Sequence, residues 1–203
     1  LLHGSARGEQ VRWLLERLRR LRREAKRKGW THSDTFSIVA LSATVADPEG
    51  IVDGYLPGGT TFQVDGGRSI ESVKVVCDGT GVEEVLPEYV RTLPAPEKIL
   101  VFSNARRRVD DLAARLRPDL QKLGYETRAH HGSLDRLERE STEEAIRLTQ
   151  KIVVFATSTL ELGIDIGDID LVVLDGPAPD IMAFLQRVGR GNRRTDRTRV
   201  LMC

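Results

Sequence analysis

The chain has almost no cysteine. Cys77 and Cys203 are the only two in 203 residues. They lie far apart and neither belongs to a CxxC pair, which argues against a disulfide framework or a zinc site and fits a reducing cytoplasm. No apolar run approaches the roughly 20 residues of a membrane span, and no signal-peptide pattern is present. The expectation is a cytoplasmic chain with no membrane partner. Net charge is nearly absent too: 31 Lys and Arg against 30 Asp and Glu leave +1. That excludes a polybasic protein, so any nucleic-acid affinity must come from local patches. There is no internal repeat and no low-complexity segment. The sequence contains no Gly-Lys and no Asp-Glu dipeptide. It therefore lacks GxxxxGK[ST], the loop whose backbone N–H groups and Lys cradle nucleotide phosphates. Its ends, an apolar "LLHG" without Met and a strand-like "TRVLMC", suggest a piece of something longer.

What is present begins with a helix over Ser5 to Lys28. Val11, Leu14, Leu15, Leu18 and Leu21 keep helical spacing, and Gly29 is a plausible stop. Its other face is crowded with Arg and Lys, which reads as a solvated face or as a contact for nucleic acid or membrane. Phe36 to Leu41 predicts a buried strand. Asp47 and Pro48 then predict a helix start. "TTFQVD" and "SIESVKVVCDG" are strand-like runs, and Pro94 and Pro96 follow a short helical stretch. Beyond them apolar strands (98–102, 152–156, 171–174) and a short strand (126–130) alternate with helices (about 105–123, 135–149 and 180–188). That pattern implies an α/β fold with a parallel sheet covered on both faces. Right-handed crossovers place all strand C-termini along one edge, where ligands bind.

Four stretches fall at or just after strand ends: "SNARRR" (103–108), "HHGSL" (130–134), "ATSTLELGID" (156–165) and "GPAPD" (176–180). In order along the chain, "LSAT" (41–44), "ILVFSN" (99–104), "ATSTLELGIDIGDIDLVV" (156–173) and "FLQRVGRGNRR" (184–194) resemble motifs III, IV, V and VI of superfamily 2 helicases, with "HHGSL" (130–134) as a linking segment between IV and V. The wording "STLELGIDIGDID" followed by "LQRVGR" is most similar to the large helicase-related (Lhr) family. The resemblance spans nearly the whole chain.

It implies a RecA-like architecture in two parts. Residues 1–75 would be the C-terminal part of lobe 1, 76–97 an interlobe linker, and 98–203 most of lobe 2. In the family a stretch like "LLHGSARG" directly follows the acidic Mg2+ motif, so the rest of lobe 1 would be the chain's nearest partner. The intact enzyme would use ATP and Mg2+. This chain would hold neither alone, would supply no metal ligand, and would be inactive by itself. Motif VI follows the last helix, so its arginines are expected to project from a turn at the sheet's ligand edge, and Arg190 and Arg193 resemble the arginine fingers that stabilise charge on a transferring phosphoryl group. Gln186 and Arg187 resemble nucleotide-cleft and interdomain contacts. Asp165 resembles the carboxylate that binds the ribose, with Gly163 allowing close backbone approach. Asn104, His131, Gly132 and Thr157 resemble contacts to a single strand of DNA or RNA. Ser42, Ala43 and Thr44 resemble the motif that couples nucleotide state to lobe closure. Asn192 stands where the family pattern has a second Gly, and Asn tolerates a left-handed backbone better than other non-Gly residues.

Local readings compete at several of these positions. Thr157 and Asn104 suit helix caps as well as phosphates. His131 suits a satisfied structural histidine. Ser42 and Thr44 suit turn chemistry, and the arginines of motif VI suit a solvated turn. At the level of the chain, the alternative to part of an ATP-dependent helicase is a standalone, ATP-independent nucleic-acid-binding module. A dinucleotide-binding Rossmann enzyme fits poorly, because "GRGNRR" follows a helix and not a first strand.

Overall fold

The computed structural model describes residues 5–41, 47–62, 69–75, 79–161, 166–191 and 197–203. The chain divides into two compact units, Leu1–Asp65 and Gly66–Cys203.

In unit 1, α1 (Ala6–Arg27) starts where Ser5 Oγ accepts the Gly8 N–H at 3.1 Å. It stops at Gly29, whose φ of 72° a side chain would resist. The second helix, α2 (Pro48–Tyr55), begins as expected, with Asp47 Oδ1 accepting the Gly50 N–H at 2.9 Å and Pro48 in the first turn. The strand expected over Phe36 to Leu41 does not form. A parallel strand needs neighbours for its backbone groups, and unit 1 has no strand among its described residues. Phe36 and Ile38 are half-buried beside α1, whereas Leu41 is 92% exposed. Leu14, Leu18 and Leu21 of α1 are exposed as well. The helical periodicity is correct, but burial is not settled by periodicity alone.

Unit 2 is built on six parallel strands, β1 (Ser69–Val75), β2 (Lys98–Ser103), β3 (Glu126–His130), β4 (Ile152–Ala156), β5 (Leu171–Asp175) and β6 (Arg197–Met202). Their order is β1-β6-β5-β2-β4-β3. The helices are α3 (Val82–Thr92), α4 (Arg106–Lys122), α5 (Arg136–Leu148) and α6 (Ile181–Val188). Alternation along the central strands fills two cores. Ile99, Val101, Val153, Phe155 and Val173 pack against Val85 and Leu86 of α3 and Val109, Leu112 and Leu116 of α4. Leu100, Phe102, Val154, Val172 and Leu174 pack on the other face with Ile146 of α5, Phe184 and Val188 of α6, and Leu160 and Ile166. Two covered faces explain why these strands read as unbroken apolar runs.

The sequence boundaries assigned residues 1–75 to the first lobe and 76–97 to a linker. In the fold, β1 pairs in parallel with β6, from Ser69 against Arg197 to Val75 against Met202. Its backbone groups are satisfied there, so it belongs to the sheet of unit 2. The helix within 76–97, α3, buries Val82, Val85, Leu86 and Val90 in the same unit.

Candidate nucleotide and nucleic-acid interface

The parallel register aligns Phe102 and His130 with Ala156, and Ser103 with Asp175. The segments after these residues therefore emerge together at the carboxyl edge. Asn104 is not the cap of α4, a position held by Ala105. Its side-chain Nδ2 donates instead to the Pro177 carbonyl at 2.9 Å, tying the β2–α4 turn to the β5–α6 turn. Beneath that tie, Arg108 donates from Nε and Nη2 to Asp175 at 3.0 and 2.9 Å, and also pairs with Glu83. Ser103 Oγ donates to Asp175 at 2.8 Å. Hydrogen bonds to Asp175 and then Glu83 push the Arg108 guanidinium pKa further up. Arg108 and Asp175 together thus lock α3, α4, β2 and β5 at one point.

His131 is buried. Its Nδ1 accepts the Ser133 N–H at 3.3 Å, so Nε2 carries the hydrogen and donates to Asp110 at 2.9 Å. This is the structural reading of that histidine, because both ring nitrogens are engaged within the protein. A Cβ on Gly132 would meet only the Thr159 methyl, at 3.7 Å, so the bare backbone here is accessible without being sterically required. Thr157 sits at the start of a 3-10 turn (Ser158–Leu160), and its side chain makes no capping bond. Its N–H donates to the His130 carbonyl at 3.2 Å, while its hydroxyl has no partner among the described residues.

The residue that organises this edge is His130, which the sequence reading passed over. It is 1% exposed. Nδ1 lies 2.8 Å from Thr159 Oγ1 and Nε2 3.2 Å from Glu143 Oε1. Burial lowers its pKa below the usual histidine value, against the opposing pull of Glu143. In the neutral ring Nε2–H donates to the carboxylate and Nδ1 accepts from the Thr159 hydroxyl. Its place at the last residue of a strand, beside His131, is the one sequence signal that marks it.

The arginine-rich motif was expected at the same edge. Its turn lies elsewhere. The eight residues of α6, at about 1.5 Å rise each, carry the chain back along the sheet. Gly191 then bridges to Ile169, two residues before β5, and sits against Thr198 near the start of β6. A Cβ at Gly191 would lie 2.4 Å from the Thr198 methyl and 3.2 Å from a Val172 methyl, so only glycine fits. From the last turn of α6 and the residues after it, Arg187 and Arg190 reach to Glu161. Arg187 is 2% exposed. Its Nε donates to Glu161 Oε1 at 2.7 Å, its guanidinium lies 5.4 Å from the Phe102 ring centre, and its Nη1 is buried without a partner. Arg190, 9% exposed, donates from Nη2 to the Glu161 carbonyl at 2.7 Å. Gln186 is half-buried and its amide is unengaged among the described residues. Motifs V and VI are thus joined through Glu161, which the sequence reading had not singled out. Gly163, Asp165, Arg193, Ser42, Ala43 and Thr44 lie outside the described residues.

Residues 82–195, more than half the chain, match the model of the helicase conserved C-terminal domain. The chain belongs to that family. Its relatives include Lhr-type proteins. It is 32% identical over 209 residues to an ATP-dependent helicase Lhr-Core protein 2 of Thermococcus barophilus, an alignment that covers 95% of this chain and 23% of the relative. The solved structure of the Mycobacterium smegmatis helicase Lhr bound to ssDNA and AMP-PNP matches with a TM-score of 0.61 at 30% identity, over 79% of this chain and 23% of that one. The C-terminal domain of the DEAD-box protein Dbp5 matches with a TM-score of 0.53 at 24% identity, over 66% of this chain and 74% of that one, a likeness of fold. The helicase domain described here therefore spans about a quarter of its curated relative. Its RecA-like sheet is that of helicase C-terminal lobes. No helix among the described residues is long and apolar enough to cross a membrane.

Proposed function

We propose that this chain supplies the strand-gripping and arginine-bearing part of an ATP-dependent nucleic-acid helicase. The observation that carries this reading is the junction at Glu161, where one residue holds Arg187 by its carboxylate and Arg190 by its carbonyl. A nucleotide fits this donor set. Two guanidinium groups and a carboxamide occur within five residues, Arg187 Nη1 is an orphaned buried donor, and planar guanidinium suits phosphate oxygens. Arg190 would stabilise charge developing on the γ-phosphate, joined by Arg193. Gln186 would orient the nucleotide, and Gly163 and Asp165 would meet its ribose side. ATP with Mg2+, when bound, would supply the phosphoryl transfer that drives the cycle. No metal ligand is assigned to this chain.

At the carboxyl edge, the free Thr157 hydroxyl and the Gly132 backbone would contact phosphates of a single strand of DNA or RNA, with Asn104 fixing the neighbouring turns. Such contacts position a strand without reading its sequence. Ser42, Ala43 and Thr44 would couple nucleotide state to lobe closure.

Two measurements test this. Dye-labelled oligothymidylate should raise its anisotropy on binding the chain, and Thr157→Val should weaken that binding without changing its salt slope, because no charge is removed. In an intact Lhr-type helicase carrying this segment, Arg190→Ala should lower ATPase turnover by roughly 10³–10⁵. Full turnover in that variant refutes the finger role. Strand binding that survives with no ATPase in the intact protein would favour an ATP-independent binding module.

A further inference from the structure

The basic face of α1 carries more than solvation requires. Between Ser5 and Trp30 there are ten Arg and Lys against three Glu, in a chain whose net charge is only +1. The three glutamates are already used. Glu9 pairs with Arg12 at 3.0 Å, Glu16 with Arg19, and Glu24 with Arg27 at 2.8 Å and Lys28 at 3.5 Å. Lys26 pairs with Asp34 at 3.0 Å. Arg17 and Arg20 are exposed and make no ion pair among the described residues.

These two arginines stand four and seven positions after Trp13, so all three share one face of the helix. Trp13 is 73% exposed and its ring has no partner among the described residues. The chain's other tryptophan differs, since Lys28 Nζ already lies 4.7 Å from the centre of the Trp30 ring. An exposed indole costs apolar hydration, and a face built only for water has no use for one next to two uncompensated guanidinium groups.

We propose that the face of α1 formed by Trp13, Arg17 and Arg20 binds single-stranded nucleic acid, with a base stacked on Trp13 and phosphates on the two arginines. Charge selects the occupant. Guanidinium forks suit phosphate, and an aromatic ring beside cations is how sequence-tolerant strand sites are made. The ligand class rests on the function proposed above, but the surface belongs to unit 1, whereas Asn104, Gly132 and Thr157 belong to unit 2.

The chain's only two tryptophans are Trp13 and Trp30, so tryptophan emission, excited selectively over tyrosine, reports on unit 1 alone. With Trp30→Phe, Trp13 becomes the single reporter. Titrating this whole-chain variant with a short oligothymidylate should quench its emission saturably. Adding Arg17→Ala and Arg20→Ala should weaken the quenching affinity roughly tenfold and make the salt slope shallower by about 1.4. Trp13→Ala, followed by dye anisotropy, should weaken unit 1 binding about 5- to 150-fold. Quenching should persist in Thr157→Val, which separates this surface from the grip proposed for unit 2. Anisotropy change without any change in Trp13 emission overturns the inference and leaves the proposed function standing. Quenching indifferent to Arg17 and Arg20 overturns it too, as does a response to phosphatidylserine vesicles but not to oligothymidylate. If neither signal changes, both readings fall.

Discussion

Removing Glu161 should destabilise unit 2 far more than removing both members of its ion pair. Glu161 and Arg187 are both buried and meet at 2.7 Å. Breaking such a pair from one side leaves an uncompensated buried charge, at a cost of about 3–5 kcal/mol, whereas replacing both partners by apolar residues of similar size is often neutral or better. Glu161→Leu should therefore cost about 3–5 kcal/mol. Arg187→Met should cost less, because it also removes Nη1, a buried donor with no partner whose desolvation costs about 1–3 kcal/mol. The double variant should return to within about 1–2 kcal/mol of the parent, giving a coupling energy of several kcal/mol. Chemical unfolding followed by hydrogen exchange at β2 and β4 amides reads unit 2 directly. Single variants that each cost less than about 0.5 kcal/mol, or that simply add, would show that Arg187 is not held internally by Glu161. Because Arg190 uses the carbonyl and not the carboxylate of Glu161, its own contact should survive Glu161→Leu.

Three further outcomes follow from the same geometry. Gly191→Ala should cost about 1–3 kcal/mol through overpacking against Thr198, measured by denaturant unfolding; pairing it with Thr198→Ser, which removes the clashing methyl, should recover part of the loss. Burial depresses the His130 pKa, so the unfolded chain binds the proton more readily than the native one. Its contribution to stability is complete above the ordinary histidine value of about 6.5 and is lost as pH falls below it toward the native pKa; melting temperature should drop over that window, and the drop should flatten in His130→Gln. The Cys203 thiol is pushed up to about 11 by burial, with Asp175 adding to the shift, so in a Cys77→Ser background iodoacetamide should label it slowly, with only about 1% thiolate at pH 9.

Much of the lobe is legible in local sequence. The 98–203 segment alternates apolar strands with amphipathic helices because its parallel sheet is covered on both faces. Caps such as Ser5, Asp47 and Asp180 mark helix starts through their own side chains. The order of short polar stretches after strand ends carried the helicase resemblance. These are one-dimensional properties, fixed by the 3.6 and 2.0 periods and by side chain to backbone hydrogen bonds a few residues away.

Other features depend on partners distant in sequence. Phe36 to Leu41 has the apolar content of a strand, yet a strand exists only when a neighbour satisfies its backbone. β1 joined the second unit because its neighbour, β6, lies more than 120 residues further along the chain. His130 needed Glu143 and Thr159 to become a fixed donor and acceptor, and Arg108 needed Glu83 and Asp175. "QRVGRGNRR" announced guanidinium groups but not their orientation. Only the fold turned Arg187 inward onto Glu161, placed Gly191 where no Cβ fits, and left Trp13 with its ring in water. Composition and period determine which faces are apolar and which groups are charged; long-range packing decides which of them meet.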